Sequence, residues 1–382
     1  MVLFTAFAGE HISFIKRNNI YIMNSAIRNN NFNAIRFLAA FFVVAGHMYV
    51  LTGESAPVLC GHSIQTIGVY IFFVVGGYFI AQSWLNDKSI IKYTLKRIFR
   101  IWPSLIAVVT ISIFVLGPCF TKLPLRLYFR HCWIYASNIL LYISYSLPGV
   151  FENNIYPNAV NGSLWTLPIE VAMYVFVPAY FAIIGSVHSD KLRHGLVLAI
   201  TVFLCSLDLY FLHAPCSLVI YATDLISAVH MLPFYFIGMT VKYFENSSER
   251  FNACVHRTDN LPLAALLLLL SCAFDVNEIY SRIVLYVVVP YMVFAIGYAP
   301  SSVLKRIGSK AEITYGIYLC SFPIQQCLSA VLIENNKYYD STVMVFVSFA
   351  LSCFAALLLH CTVERVSSYY LHRLLKTATN NT

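Results

Sequence analysis

The chain has 382 residues, of which 59% are hydrophobic and only 11% charged, and its formal net charge is +8. A soluble domain of this length has too little interior to hide so much apolar side chain, and the mean hydropathy of +0.71 agrees; lipid is the solvent for most of the surface. The positive charge does not point to nucleic acid, because the basic residues sit in short loops between apolar runs, where membrane topology accounts for them.

Met1 to Ala8 is apolar but short, lacks a basic leader and runs into Glu10, so it fails as a secretory signal. Residues 1–30 read as a cytoplasmic lead-in, with the stretch before Met23 dispensable. Apolar runs of spanning length follow at 33–51, 65–85, 101–118, 165–186, 195–213, 217–241, 261–276, 280–299, 313–333 and 341–363, the seventh a little short. The expectation is an all-α polytopic membrane protein of about ten helices. Residues 31–366 form one membrane domain, with a cytoplasmic tail at 367–382 and no separate soluble domain.

A further run, 131–147, is rich in Tyr and ends at Pro148-Gly149. Whether it spans is decided by Lys and Arg. With ten spans and a cytoplasmic start, 20 basic residues lie inside and 5 outside (Lys122, Arg126, Arg130, Arg282, Lys337); an extra span at 131–147 gives 11 inside and 14 outside. The positive-inside rule favours ten spans with both termini cytoplasmic, and 131–147 in the outer interface.

The first run carries Arg36 at its entrance and His47 within it. Eleven residues at 100° each make three turns plus about 20°, which puts both side chains on one helix face about 16 Å apart. Ionisable groups inside an apolar segment are costly and point to function; the other reading is a snorkelling Arg36 with His47 bonded to a neighbouring helix. A neutral imidazole serves as a general base near pH 7, and Arg36 suits an anion.

Lys88, Lys92, Lys96, Arg97 and Arg100 lead into the third run. Such a cluster could bind phosphates through charge-assisted hydrogen bonds; standing alone, it reads as a positive-inside topological anchor. Phe72-Phe73-Val74-Val75-Gly76-Gly77 in the second run lets a helix or a ligand approach the backbone. Asn161-Gly162-Ser163-Leu164-Trp165 leads into the fourth run, where Glu170 requires an arginine or histidine partner. Thr314-Tyr315-Gly316-Ile317-Tyr318-Leu319 opens the ninth. Asp208, Asp224, His230 and His360 read as satisfied buried groups. The eleven cysteines show no C-x-x-C pair and no Cys/His spacing for a metal, so no metal is expected. Cys119 and Cys132 are a candidate pair if both face an oxidising compartment.

In this order, Arg36-x10-His47, the Phe-Phe-x-x-small-Gly segment, Arg97-x-x-Arg100 before Ile101-Trp102-Pro103, Ser163-Leu164-Trp165 with Glu170, Pro233-Phe234 to Gly238-Met239, and the Thr314–Leu319 segment resemble the acyltransferase-3 family of integral-membrane acyltransferases, which includes bacterial and phage O-antigen acetyltransferases. The resemblance implies acetyl-CoA as donor and a hydroxyl of a cell-envelope glycan or lipid-linked oligosaccharide as acceptor, at the bacterial inner membrane. It casts His47 as catalytic with Arg36 as its companion, and puts Arg97 and Arg100, with Lys96 beside them, near the CoA. Glu170 is the further catalytic candidate, and Ser163, Trp165 and Tyr315 are the candidate acceptor contacts. The chain departs from the family at Gly76, where Ser is frequent, and at Ser321, where a His often precedes Phe-Pro, so a mechanism needing that second histidine is not available here. With no hydrolase-like domain before Thr382, the acyl group is expected to pass within the membrane domain. The competing class is a membrane glycan polymerase or flippase, which would handle lipid-linked sugars without acyl-CoA.

Overall fold

The computed structural model describes residues 30–380 except 215, 274–276, 309–310 and 335–339; the lead-in before Asn30 lies outside the described residues, as does Lys337. Among the described residues, nine helices are long and apolar enough to cross a membrane, and a tenth, shorter apolar helix fills the seventh place. They are α1 (Phe32–Leu51), α2 (Ile64–Asn86), α3 (Ile90–Ile111, carried on by a π-turn to Phe120), and, after the short α4 (Leu125–His131), α5 (Thr166–Ser186) and α6 (Asp190–His213). Then come α7 (Leu225–Ser247), the short polar-loop helix α8 (Glu249–Val255), α9 (Leu261–Ala273), α10 (Glu278–Tyr298), α11 (Thr314–Glu334), α12 (Ser341–Leu359) and, through a second π-turn, α13 (Arg365–Asn380). Two-stranded hairpins precede α2 (β1 Val58–Leu59, β2 His62–Ser63) and α7 (β3 Val219–Ile220, β4 Thr223–Asp224), at the same end of the bundle. This is the all-α polytopic architecture read from hydropathy.

Residues 131–147 do not form a spanning helix. After α4 the chain tightens into a 3₁₀ stretch, Cys132–Leu140, and turns back at Leu141 with φ +63°. Asn138 holds the turn: its Nδ2 donates to Tyr135 O at 2.8 Å and Ser144 O at 2.9 Å, and its Oδ1 accepts from Ser144 N at 3.0 Å. Trp102 Nε1 pins the stretch to α3 by donating to Ile139 O at 3.0 Å.

The core centres on α1, α2 and α7. A Cβ on Gly77 would run into the carbonyl of Tyr235, and one on Gly238 into that of Val74, so glycine at both is what lets α2 and α7 cross backbone to backbone. The paired glycines thus divide the two readings between them: Gly77 packs, while its neighbour Gly76 lines a cavity.

The remaining ionisable groups in apolar runs find partners. Arg282, 1% exposed, donates from Nε to Asp208 Oδ2 at 2.9 Å and also bonds the Tyr70 hydroxyl. His230 Nδ1 lies 2.5 Å from the other oxygen of Asp208, and the Tyr286 hydroxyl donates to the same carboxylate. Asp224 caps α7, and His360 pairs with Glu364 at 2.8 Å. Cys119 is exposed and Cys132 buried, each a free thiol.

Candidate active site

Arg36, in the second turn of α1, donates to Asn33 Oδ1 at 3.3 Å, pairs with Glu312 at 3.3 Å and lies over the Phe79 ring at 4.8 Å. Arg100 approaches from α3 and reaches the same Glu312 oxygen at 3.0 Å. One turn back, Arg97 donates to Ser83 Oγ at 3.0 Å and sits over the rings of Tyr93 and Tyr174. Its Nε is buried and has no partner. These three arginines and Lys96 line a cavity of about 730 Å³, together with Glu170, Glu312 and Tyr315. Four cations against two carboxylates leave it net positive, in surroundings where charge acts strongly. The basic cluster therefore splits: Lys96, Arg97 and Arg100 face the cavity, whereas Lys92 lies 3.9 Å from Asp87 and Lys88 is exposed.

Helix periodicity places His47 at the other end of the same α1 face, in a second cavity of about 680 Å³ with Gln65, Trp165, Tyr145, Tyr156 and Phe322. Among the described residues its lining contains no Asp, Glu, Lys or Arg. The His47 ring meets Phe322 edge to face at 5.3 Å, while its Nδ1 is buried without a partner, as is Gln65 Oε1. Buried polar atoms are rarely left unpaired, and two that share a cavity with aromatic walls are suited to a polar ligand.

The two cavities are lined from the same four segments of chain. On α2 the lining passes from Phe72 and Val69 to Gln65, on α11 from Tyr315 and Tyr318 to Phe322, and at the start of α5 from Glu170 and Thr166 to Trp165, as α1 passes from Arg36 to His47. Between them the Tyr318 hydroxyl lies 2.5 Å from Thr166 Oγ1 and also donates to Ser163 O, with Phe72 against the Tyr318 ring.

Of the residues singled out in the sequence, Arg36, Lys96, Arg97, Arg100, Glu170 and Tyr315 come together in the first, cationic cavity, and His47 and Trp165 in the second. Glu170 accepts from the Tyr174 hydroxyl one turn on and shares its cavity with Arg97 and Arg100, not with His47. Tyr315 donates to Ile101 O at 3.1 Å beneath Arg100. Ser163 lines neither cavity: Asn161, fully buried, accepts from Ser163 N at 3.1 Å and donates to Leu319 O at 2.9 Å, which turns that strand of chain inward. Sequence reasoning missed Glu312, Gln65 and Tyr174. Only Tyr174 carried a signal, its i+4 spacing from Glu170.

A family model described as an acyltransferase domain matches residues 29–361. The chain is 27% identical over 321 residues to the O-acetyl transferase of Shigella phage Sf6, a match covering 83% of this chain and 90% of that protein. It is 28% identical over 166 residues to Nodulation protein 10 of Rhizobium leguminosarum bv. viciae, covering 41% of this chain and 45% of that one. No solved structure matches.

Proposed function

Since the chain belongs to the acyltransferase-3 family of membrane acyltransferases, we propose that it moves a short acyl group, acetyl in the simplest case, from acyl-CoA to a hydroxyl of a cell-envelope glycan such as lipopolysaccharide O-antigen. The setting is the bacterial inner membrane, with both termini cytoplasmic and residues 31–366 as the working domain. The carrying observation is that one helix face joins a cationic cavity at Arg36 to an uncharged, aromatic-walled cavity at His47.

In this reading the phosphates of the donor rest on Lys96, Arg97 and Arg100 at the cytoplasmic end, where guanidinium groups give paired, charge-assisted bonds. The pantetheine arm runs along the Arg36/His47 face past Phe72 and Tyr318, bringing the thioester to the outer cavity. The acceptor sugar enters from outside and lies against Trp165 and the tyrosines. The absence of charge from this lining suits a neutral sugar. His47 takes the hydroxyl proton as the oxygen attacks the thioester carbonyl; the carbon–sulfur bond breaks and the CoA sulfur leaves with the proton that His47 returns.

Mass spectrometry of surface polysaccharide from cells with and without the protein tests this. An added acyl mass on one sugar, dependent on the protein, is the expected result. A changed chain length or loss of surface glycan with no change in acylation would favour a polymerase or flippase.

A further inference from the structure

Cys60 Sγ and Cys272 Sγ lie 3.5 Å apart, although the two residues are 212 positions apart in the chain. Cys60 forms the turn between β1 and β2 together with Gly61, with φ +52° and +74°, the geometry of a type I′ turn. Asparagine and glycine adopt that conformation most easily, but the hairpin before α7 tolerates Tyr221 and Ala222 there, so strain alone explains nothing. The surroundings say more. Cys60 is 1% exposed and points at the last turn of α9: its N–H donates to Cys272 Sγ at 3.1 Å, and its sulfur lies 2.9 Å from Ser271 Oγ. Cys272 is exposed.

We propose that Cys60 and Cys272 form a disulfide on the outer face of the membrane, tying the end of α9 to the hairpin that leads into α2. This rests on the orientation in the reading above, which puts both sulfurs in an oxidising compartment. The sulfurs stand 3.5 Å apart, against a bonded distance of about 2.05 Å. The oxidant is an extracytoplasmic oxidoreductase bearing a reactive disulfide. Exposed Cys272 attacks it and forms a mixed disulfide, releasing one oxidant thiol; Cys60 then attacks the Cys272 sulfur and releases the second. The two thiol protons of this chain end on the reduced oxidant. Burial pushes the Cys60 thiol up to about 11, which fits it as the second sulfur to react.

The bond has a structural task. With 13 residues, α9 is about 20 Å long, short of a hydrocarbon core of about 30 Å, and only Ala264 of it is buried. The hairpin it would be tied to sets the start of α2, where Gln65 enters the outer cavity.

The test is a non-reducing peptide map of alkylated membranes. A peptide pair linked through Cys60 and Cys272, absent after reduction and absent in Cys60→Ser and Cys272→Ser, is expected. Dithiothreitol should lower the melting temperature of the purified wild type in detergent and leave that of Cys272→Ser unchanged. Both thiols alkylated in cells that hold the oxidant would overturn the proposal. In that case, labelling of Cys272 in intact cells by a membrane-impermeant maleimide would leave the acyl-transfer reading intact, and failure to label would remove the orientation as well.

Discussion

Arg36 and Arg100, on different helices, meet at a single oxygen of Glu312, at 3.3 and 3.0 Å. The carboxylate holds the two guanidinium groups side by side and also opposes any anion that comes to them. Glu312→Gln keeps the shape and removes the opposing charge. Its KM for the acyl donor is expected to fall relative to wild type, measured in detergent-purified protein at low salt. A rise in KM would mean that Glu312 acts by positioning the arginines.

The same geometry makes Arg97 and Arg100 the test of the donor site. Replacing both by Gln should weaken binding of a CoA analogue about tenfold or more, a loss of at least one charge-assisted hydrogen bond at about 1.5–3 kcal/mol. Membrane insertion should be unaffected, because Lys88 and Lys92 lie outside the cavity and remain as positive charges at that end of the helix. Unchanged affinity would return the cluster to a topological anchor.

Topology is tested at Lys122 and Asn158, which flank the 3₁₀ stretch Cys132–Leu140. Cysteines substituted at both should react with an impermeant reagent from the outer side. Labelling from opposite sides would mean that 131–147 crosses the membrane.

Away from the cavities, the Asp208–Arg282 pair is a buried ion pair whose removal has a structural signature. Arg282→Gln leaves a buried carboxylate without its counter-charge, a loss of about 3–5 kcal/mol. Folded protein recovered from the membrane should fall sharply, while acyl transfer per folded molecule stays close to wild type. Normal yield with lost transfer would place the pair in the chemistry instead.

What the sequence made legible and what it hid follow from how each contact is encoded. Arg36 and His47 share a face because helix periodicity alone dictates it, and their ionisable side chains stand out against an apolar run. Lys96, Arg97 and Arg100 are legible for the same reason. Glu312 is not: it sits in a polar loop where a glutamate is unremarkable, and its tie to Arg100 joins residues 212 positions apart. Arg282 reads as one more outer-loop basic residue by count, yet it is buried, because α6, α7 and α10 bring Asp208 and His230 to it. Ser163 lies close in sequence to Trp165 but lines neither cavity; its N–H is held by Asn161, which also bonds Leu319 O. Local pattern carries which face a residue takes; it does not carry which distant loop will close over it.

His47 carries the last prediction. Its Nδ1 is buried and unpaired, and its ring touches Phe322 at the wall of the uncharged cavity. A structural histidine would have satisfied that nitrogen, since an unpaired buried polar atom costs about 1–3 kcal/mol. His47→Asn and His47→Gln are of similar size and remain polar, so neither should lower the amount of folded protein much. Neither can accept a proton. Loss of a general base costs about 10²–10⁴-fold in rate, which would read as no detectable acyl incorporation at normal protein levels. Acyl incorporation and folded protein must be measured on the same membranes. Near-normal incorporation by either variant would remove His47 from the chemistry, and Glu170, with its own cavity and its Tyr174 partner, would be the next base to test.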